Sequence, residues 1–341
     1  MDNAGRVNVC VVGCGHWGRN LVRSFAKLKH LYAICETNAA AAQSIREQNP
    51  GAKVYSDLPQ ALSDPEIHAV VLATPAEQHH QMALRALEAG KDVFVEKPLT
   101  LDWRDGAEMV SMARRHRRIL MVGHLLHYHP AVVKLKELLA SGELGKIDYI
   151  YSNRLSMGKI RREENALWSF APHDISVILS LVGQSPFQVT ATGGAYLQPN
   201  IADVTVSHLL FDQGTRAHIF VSWLHPYKEQ RLVVIGSKQM VVFEDSRPDN
   251  KLMLFDKQIE LKDGTLEALK PQGIPVPFDA KEPLLAECEH FLDCVLHRRE
   301  PRTPGEEGVQ VLQILQACQR SLQMNGDPVQ ITDTSSKVEV L

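Results

Sequence analysis

The 341-residue chain is poor in the features that would mark a secreted, membrane-bound or nucleic-acid-binding protein. Its six cysteines (Cys10, Cys14, Cys35, Cys288, Cys294 and Cys318) form no close-set pairs. That excludes a disulfide framework and leaves the pattern of buried thiols in a reducing compartment. No apolar run approaches the length of a membrane span. The first residues, Met1 to Arg6, lack a basic segment followed by a long apolar stretch. No signal peptide is therefore expected, and the expected location is the cytoplasm. The net charge of -3 carries no basic excess, which excludes bulk binding of nucleic acid or anionic lipid. Internal repeats and low-complexity tracts are absent.

What is present is ordinary globular composition, 44% hydrophobic and 23% charged, over a length that calls for two domains. The first 123 residues alternate strand and helix. Short apolar runs at Val7–Val12, Leu31–Cys35, Ala69–Ala73, Asp92–Val95 and Ile119–Val122 read as strands. Helical spacing follows at about 16–29, 76–89 and 102–115. Apolar strands alternating with amphipathic helices predict a parallel sheet covered on both faces, so residues 1–123 are assigned to a Rossmann-like domain. From about residue 145 the texture changes. Six runs between 146 and 243, punctuated by turns such as Asp212-Gln213-Gly214, predict a hairpin-connected antiparallel sheet. Helices at about 283–296 and 305–322 close the chain. Residues 124–330 are assigned to this second, open-sheet domain and 331–341 to a polar tail. The fold class is thus α/β followed by α+β.

Gly13-Cys14-Gly15-His16-Trp17-Gly18 follows the first strand and opens the first helix. This spacing permits a tight turn, close approach of a pyrophosphate to the backbone and close helix–strand packing. Glu36, at the end of the second strand, is placed to accept the adenosine ribose hydroxyls and to repel a 2′-phosphate. NAD is favoured over NADP for that reason. Ala73-Thr74-Pro75 ends the next long strand at the same edge, where Thr74 offers a hydroxyl toward a cofactor or, equally, a helix cap. Lys97 sits at a strand end in front of Pro98, which biases it to extended geometry. A lysine beside a cofactor can have its pKa lowered enough to handle protons; the alternative is a surface ion pair with Glu96.

These elements in this order resemble the Gfo/Idh/MocA family of NAD(P)-dependent sugar oxidoreductases. The matching pieces are the glycine loop, Ala73-Thr74-Pro75 with His79, Glu96-Lys97-Pro98, His173 ten residues before Gly183, and Pro301 to Gly308. The resemblance implies a Rossmann domain followed by an open antiparallel sheet whose exposed face often serves oligomerisation, so a homodimer or homotetramer is expected. It marks Lys97 and His173 as catalytic candidates. Gly13, Gly15, His16, Trp17, Gly18, Glu36, Thr74, Pro75, His79, Glu96 and Trp168 are taken as cofactor contacts. Three positions depart from the broad family: Ser169 and Ser176 stand where many members carry aspartate, and His127 where many carry arginine. The segment from Arg161 to Ser176 looks most like a narrower group, the UDP-N-acetylglucosamine 3-dehydrogenases. Their product, a 3-keto sugar nucleotide, goes to an aminotransferase on the way to a diamino sugar of lipid A-type glycolipids.

Oxidising a secondary alcohol needs a nicotinamide face, a base for the hydroxyl proton and an anchor for the reacting carbon. Lys97 is taken as the group nearest the hydroxyl, as base or as a charge on the forming carbonyl. His173 is the other acid–base candidate. Arg161 and Arg162 suit the two phosphates of a UDP-sugar, or form a solvated cluster with Glu163 and Glu164. Asn165 and Asp174 complete the expected substrate contacts, Asp174 standing beside His173. Trp168 is open between a pocket wall near the nicotinamide and a core position. His124, His127 and His129 do not share a helical face, and no metal is predicted. Another sugar or cyclitol as substrate, and a non-catalytic NAD-binding regulator, are the competing readings.

Overall fold

The structure, a computed structural model, describes residues 6–257, 259–268 and 271–331. The chain divides into two compact units. Of the described residues, the first runs through Tyr128 and takes in Lys281–Leu312; the second comprises His129–Ala280 and residues 313–331. The linear division at residue 123 is thereby corrected: helix 283–297 belongs to the first unit, because its apolar face packs there. The polar tail expected at 331–341 lies outside the described residues beyond Ile331.

In the first unit the order is β1 (Val9–Val12), α1 (Gly18–Lys27), β2 (Leu31–Cys35), α2 (Ala39–Gln48), β3 (Lys53–Tyr55) and α3 (Leu58–Ser63). Then come β4 (Ala69–Leu72), α4 (Ala76–Glu88), β5 (Asp92–Glu96), α5 (Trp103–His116) and β6 (Leu120–Gly123), closed by a 3₁₀ turn at Leu125–Tyr128. The six strands form one parallel sheet in the order β3-β2-β1-β4-β5-β6. Strands β1, β4, β5 and β6 are buried along their whole length, as apolar runs require of a sheet covered on both faces, and β5 buries an acid at each end, Asp92 and Glu96. The sequence reading left 37–68 unassigned, yet α2, β3 and α3 lie there. Their apolar periodicity is weak, and they form on caps: Asn38 accepts the Ala41 N–H and Asp57 the Gln60 N–H. Strand order reverses between β1 and β4. That is the crevice where open α/β sheets bind ligands, outside the carboxyl ends of the strands.

The second unit holds α6 (Pro130–Ala140), β7 (Ile147–Met157), α7 (Ala166–Val182), β8 (Gln188–Gly194), β9 (Val204–Leu210), β10 (Arg216–Ser222), β11 (Leu224–Gly236), β12 (Gln239–Glu244) and β13 (Leu252–Asp256). After a separate hairpin of β14 (Ile259–Lys262) and β15 (Thr265–Ala268) comes β16 (Gly273–Pro275). Next in the chain come α8 (Pro283–His297) of the first unit, α9 (Gly305–Gln323), and β17 (Val329–Gln330) of the second unit. Nine strands make one sheet in the order β16-β13-β12-β11-β7-β10-β9-β8-β17. Every pair is antiparallel except β7 with β10, so the hairpin reading is corrected at that one junction. Helix α7 separates β7 from the next strand of the sheet and packs against β7, β9 and β10. A crossover through a helix is what a parallel pair needs.

Candidate functional site

The turn after β1 is built to leave backbone exposed. A Cβ on Gly18 would lie 1.9 Å from the Gly13 carbonyl oxygen, so loop and helix meet at a distance only glycine allows. At Gly15, by contrast, a Cβ would meet nothing within 4 Å: the loop faces open space there. Helix α1 starts at Gly18; Trp17 at its cap position makes no side-chain cap, and the first turn has no acidic residue. Its leading N–H groups are therefore suited to an anion. Glu36 holds the loop from the side: its carboxylate accepts the Cys14 N–H at 2.7 Å and the Asn38 N–H at 2.9 Å. A bare backbone turn, an uncapped helix start and an acid at the end of β2 together fit the pyrophosphate and ribose of NAD. Cys14 itself is buried, and burial, reinforced by Glu36, pushes its thiol up to about 12; it stays unreactive.

Next to this loop, across the strand-order reversal, Thr74 ends the β4 segment. It does not cap α4: Pro75 occupies the cap position and no side chain caps the helix. The Thr74 hydroxyl lies 3.6 Å from the Met82 sulfur. His79, expected to contact the cofactor, is fully buried instead. Its Nδ1 stands 2.9 Å from the Pro98 carbonyl and its Nε2 2.9 Å from the Thr74 carbonyl. It is a strut between the end of β4 and the segment carrying Lys97, and its burial lowers its pKa. Glu96 is likewise buried, and its carboxylate accepts the Trp17 indole N–H and, at 3.3 Å, the Lys97 backbone N–H. Of the residues assigned to the cofactor, Gly15, His16 and Trp17 are exposed, whereas His79 and Glu96 stand behind them. The peptide bond between Lys97 and Pro98 is cis.

In the second unit His173 lies in the second turn of α7, one residue after Pro172, which is inside the helix rather than at its start. Asp174, expected as a substrate contact, is taken up by the sheet instead. It is buried, bound by Arg154 at 2.8 and 3.0 Å and by the Ser152 hydroxyl at 2.7 Å. Adjacent helix positions diverge, and Asp174 turns to the sheet. Asn165 is also taken from the substrate set: it caps α7 by accepting the Trp168 N–H and donates to Gln319 at 2.8 Å. The Trp168 indole N–H donates to the same Gln319 oxygen. Arg161 pairs with Glu164 at 3.0 Å, as a charge cluster does, while Lys159, Ile160 and Arg162 are exposed on the loop before α7. The three histidines go to separate partners. His124 pairs with Glu307 at 2.6 Å, the carbonyl of His127 accepts from Arg302, and His129 caps α6 and stands 3.3 Å from Asp245.

Sequence reasoning missed Arg154, Gln319 and Glu287. Arg154 had a signal: Ile150, Ser152 and Arg154 share the inward face of β7 by alternation. So did Glu287, an acid on the buried stripe Leu284, Glu287, Cys288 and Phe291 of α8. Gln319 had none.

Comparison with known proteins matches two family models: an oxidoreductase family with an NAD-binding Rossmann fold over residues 7–124, and a GFO/IDH/MocA C-terminal domain over 132–242. The UDP-N-acetylglucosamine 3-dehydrogenase of Acidithiobacillus ferrooxidans is 25% identical over 89% of this chain and 93% of its own length. Its solved structure superposes with a TM-score of 0.84 at 23% identity, covering 94% of this chain and 98% of that one. The NAD-dependent scyllo-inositol 2-dehydrogenase of Bacillus subtilis is 26% identical over 96% of both chains. The solved structure of an oxidoreductase from Magnetospirillum magnetotacticum is 30% identical, with a TM-score of 0.79, covering 92% of this chain and 99% of that one.

Proposed function

The chain belongs to the Gfo/Idh/MocA oxidoreductases, with an NAD-binding Rossmann domain, and on that premise we propose that it oxidises the 3-hydroxyl of UDP-N-acetylglucosamine. NAD, when bound, supplies the hydride acceptor. Gly13 to Gly18 and Glu36 hold it, and Lys97 takes the hydroxyl proton. His173 is the second acid–base group. The observation that carries the nucleotide-sugar reading is the exposed basic loop of Lys159 and Arg162 ahead of α7. Cations on a loop are suited to a diphosphate, which a free cyclitol lacks. The relation to the A. ferrooxidans enzyme supports the same reading. The equally long relation to an inositol dehydrogenase supports the alternative, oxidation of a free cyclitol.

NADH formation, followed by its absorbance with a panel of substrates, decides between them. Turnover with UDP-N-acetylglucosamine and none with free inositol or glucose is expected; the reverse pattern establishes the cyclitol reading. A 3-keto product would be consumed by an aminotransferase. The face of the nine-stranded sheet carrying Tyr149 and Phe220 is proposed to be covered by a second copy of the chain. A monomer by sedimentation would contradict that.

A further inference from the structure

Behind Lys97 lies a pair of acids that the hydride chemistry above does not use. On β5, Phe94 and Glu96 are two residues apart and share a face. On α8, Glu287 and Phe291 are four apart and share a face. The Phe94 and Phe291 rings meet at 5.6 Å, so the two faces are packed together. Opposite Glu96 in the register of β6 stands Gly123, where a Cβ would come 3.0 Å from Glu96 Oε2. The missing side chain is the room the carboxylate occupies. Trp17 of the cofactor loop donates its indole N–H to Oε1. Glu287 is fully buried, and neither of its carboxylate oxygens has a hydrogen-bond partner among the described residues.

We propose that Glu96 is the proton acceptor for Lys97 during alcohol oxidation, with Glu287 acting behind it as a positioning residue. The proposal rests on the reading of Lys97 as the acid–base group. Two carboxylates cannot both ionise in one dry pocket. Glu96 has donors in Trp17 and the Lys97 backbone and so ionises first; Glu287, with none, stays protonated. Burial pushes Glu96 up to about 7, and burial with repulsion from Glu96 holds Glu287 well above the usual carboxylate range. The other titratable groups facing the pair are Lys97 and His124 toward Glu96, and Tyr128 and Cys288 toward Glu287. Compared with an ordinary glutamate near about 4.3, an acceptor at this level makes transfer from a lysine ammonium more than about 100-fold less unfavourable.

The step balances. Before turnover Lys97 and Glu96 share one proton, as ammonium and carboxylate. Moving it to Glu96 frees the amine. The substrate then loses its C–H hydride to the nicotinamide and its O–H proton to the amine. The pair now carries two protons and returns one to solvent after the product leaves.

Trp17 reports the state of Glu96 without any turnover. In cofactor-free protein its fluorescence should titrate with a midpoint near about 7, and the transition should vanish in both Trp17→Phe and Glu96→Gln. Glu96→Gln, still binding NAD, should lose about 100-fold in kcat with little change in KM, together with the acidic limb of its pH profile. Glu287 is neutral while Glu96 titrates, so Glu287→Gln, neutral as well, should leave the fluorescence midpoint within about half a pH unit of the wild type. That readout stands even if Glu96→Gln fails to fold. A wild-type pH profile in Glu96→Gln overturns the role of Glu96, and a midpoint lowered by more than about half a pH unit in Glu287→Gln overturns the reading of Glu287 as the protonated partner. If Lys97→Ala keeps full turnover, the reading of Lys97 itself falls. Loss of turnover there with an unaffected Glu96→Gln sinks only the proton-acceptor proposal.

Discussion

Asp174 shows how far neighbouring residues in sequence can diverge in role. Beside His173 it reads as an orienting carboxylate, yet its oxygens are spent on Arg154 and Ser152, which reach it from β7. Burial opposes the Arg154 charge, and the Asp174 carboxylate more than restores it, raising the guanidinium pKa. Removing one partner of such a buried pair leaves the other charge stranded. Asp174→Ala should therefore cost about 3–5 kcal/mol, measured by urea unfolding. A change within about 0.5 kcal/mol, the range of an inert surface substitution, would return Asp174 to the list of ligand contacts. Asn165 and His79 were reassigned for a related reason. Each polar atom that sequence position seemed to leave free for a ligand is occupied by the chain itself.

At the scale of elements, the strands that carry the candidate site were legible because buried parallel strands are short, apolar and bounded by glycine. Val9–Val12 and Ala69–Leu72 fall within the runs read from sequence, and α1 starts at the last glycine of the loop. Helices α2 and α3 were not legible, since neither has an apolar stripe strong enough to show through its polar residues. The α1 junction gives the sharpest test. In Gly18→Ala the new methyl must displace the Gly13 carbonyl from 1.9 Å to normal contact, which moves the loop that fits the pyrophosphate. NAD affinity by calorimetry should fall by about tenfold or more, a cost of about 1.4 kcal/mol. Unchanged affinity would mean that the loop does not bind the cofactor as described.

For the whole molecule, opposed titrations set a stability optimum. Asp245 is held below the usual carboxylate range chiefly by the hydrogen bond from His129, helped by Lys251, and Asp64 by the Tyr55 hydroxyl and Lys53. Their folded pKa values are depressed, so this stabilisation is full above the unfolded value near about 3.9 and is lost as pH falls below it. His79, lowered by burial, adds to the acid side, because the unfolded ring takes up a proton below about 6.5 that the folded one refuses. Glu96, raised to about 7, acts in the other direction. The cost of burying its charge is absent below about 4.3 and complete above the folded value. Thermal unfolding across pH should give a melting temperature that declines on both sides of a mildly acidic maximum. Glu96→Gln should flatten the alkaline decline alone; a decline equal to that of the wild type would show that Glu96 is not the group titrating.

The sequence by itself determined the Rossmann domain, the glycine loop, Glu36 and the strand end at Lys97. Those features depend on local spacing, on glycine where a side chain cannot fit, and on apolar runs that only a covered sheet can bury. Tertiary structure alone decided that α8 returns to the first unit and that β7 and β10 run parallel. It also decided that Asp174 belongs to Arg154, and that Glu96 accepts from Trp17 while Glu287 is buried without a hydrogen-bond partner among the described residues. Each of these depends on a partner 20 or more residues away, and a burial pattern says that a residue is inside without saying what it meets there.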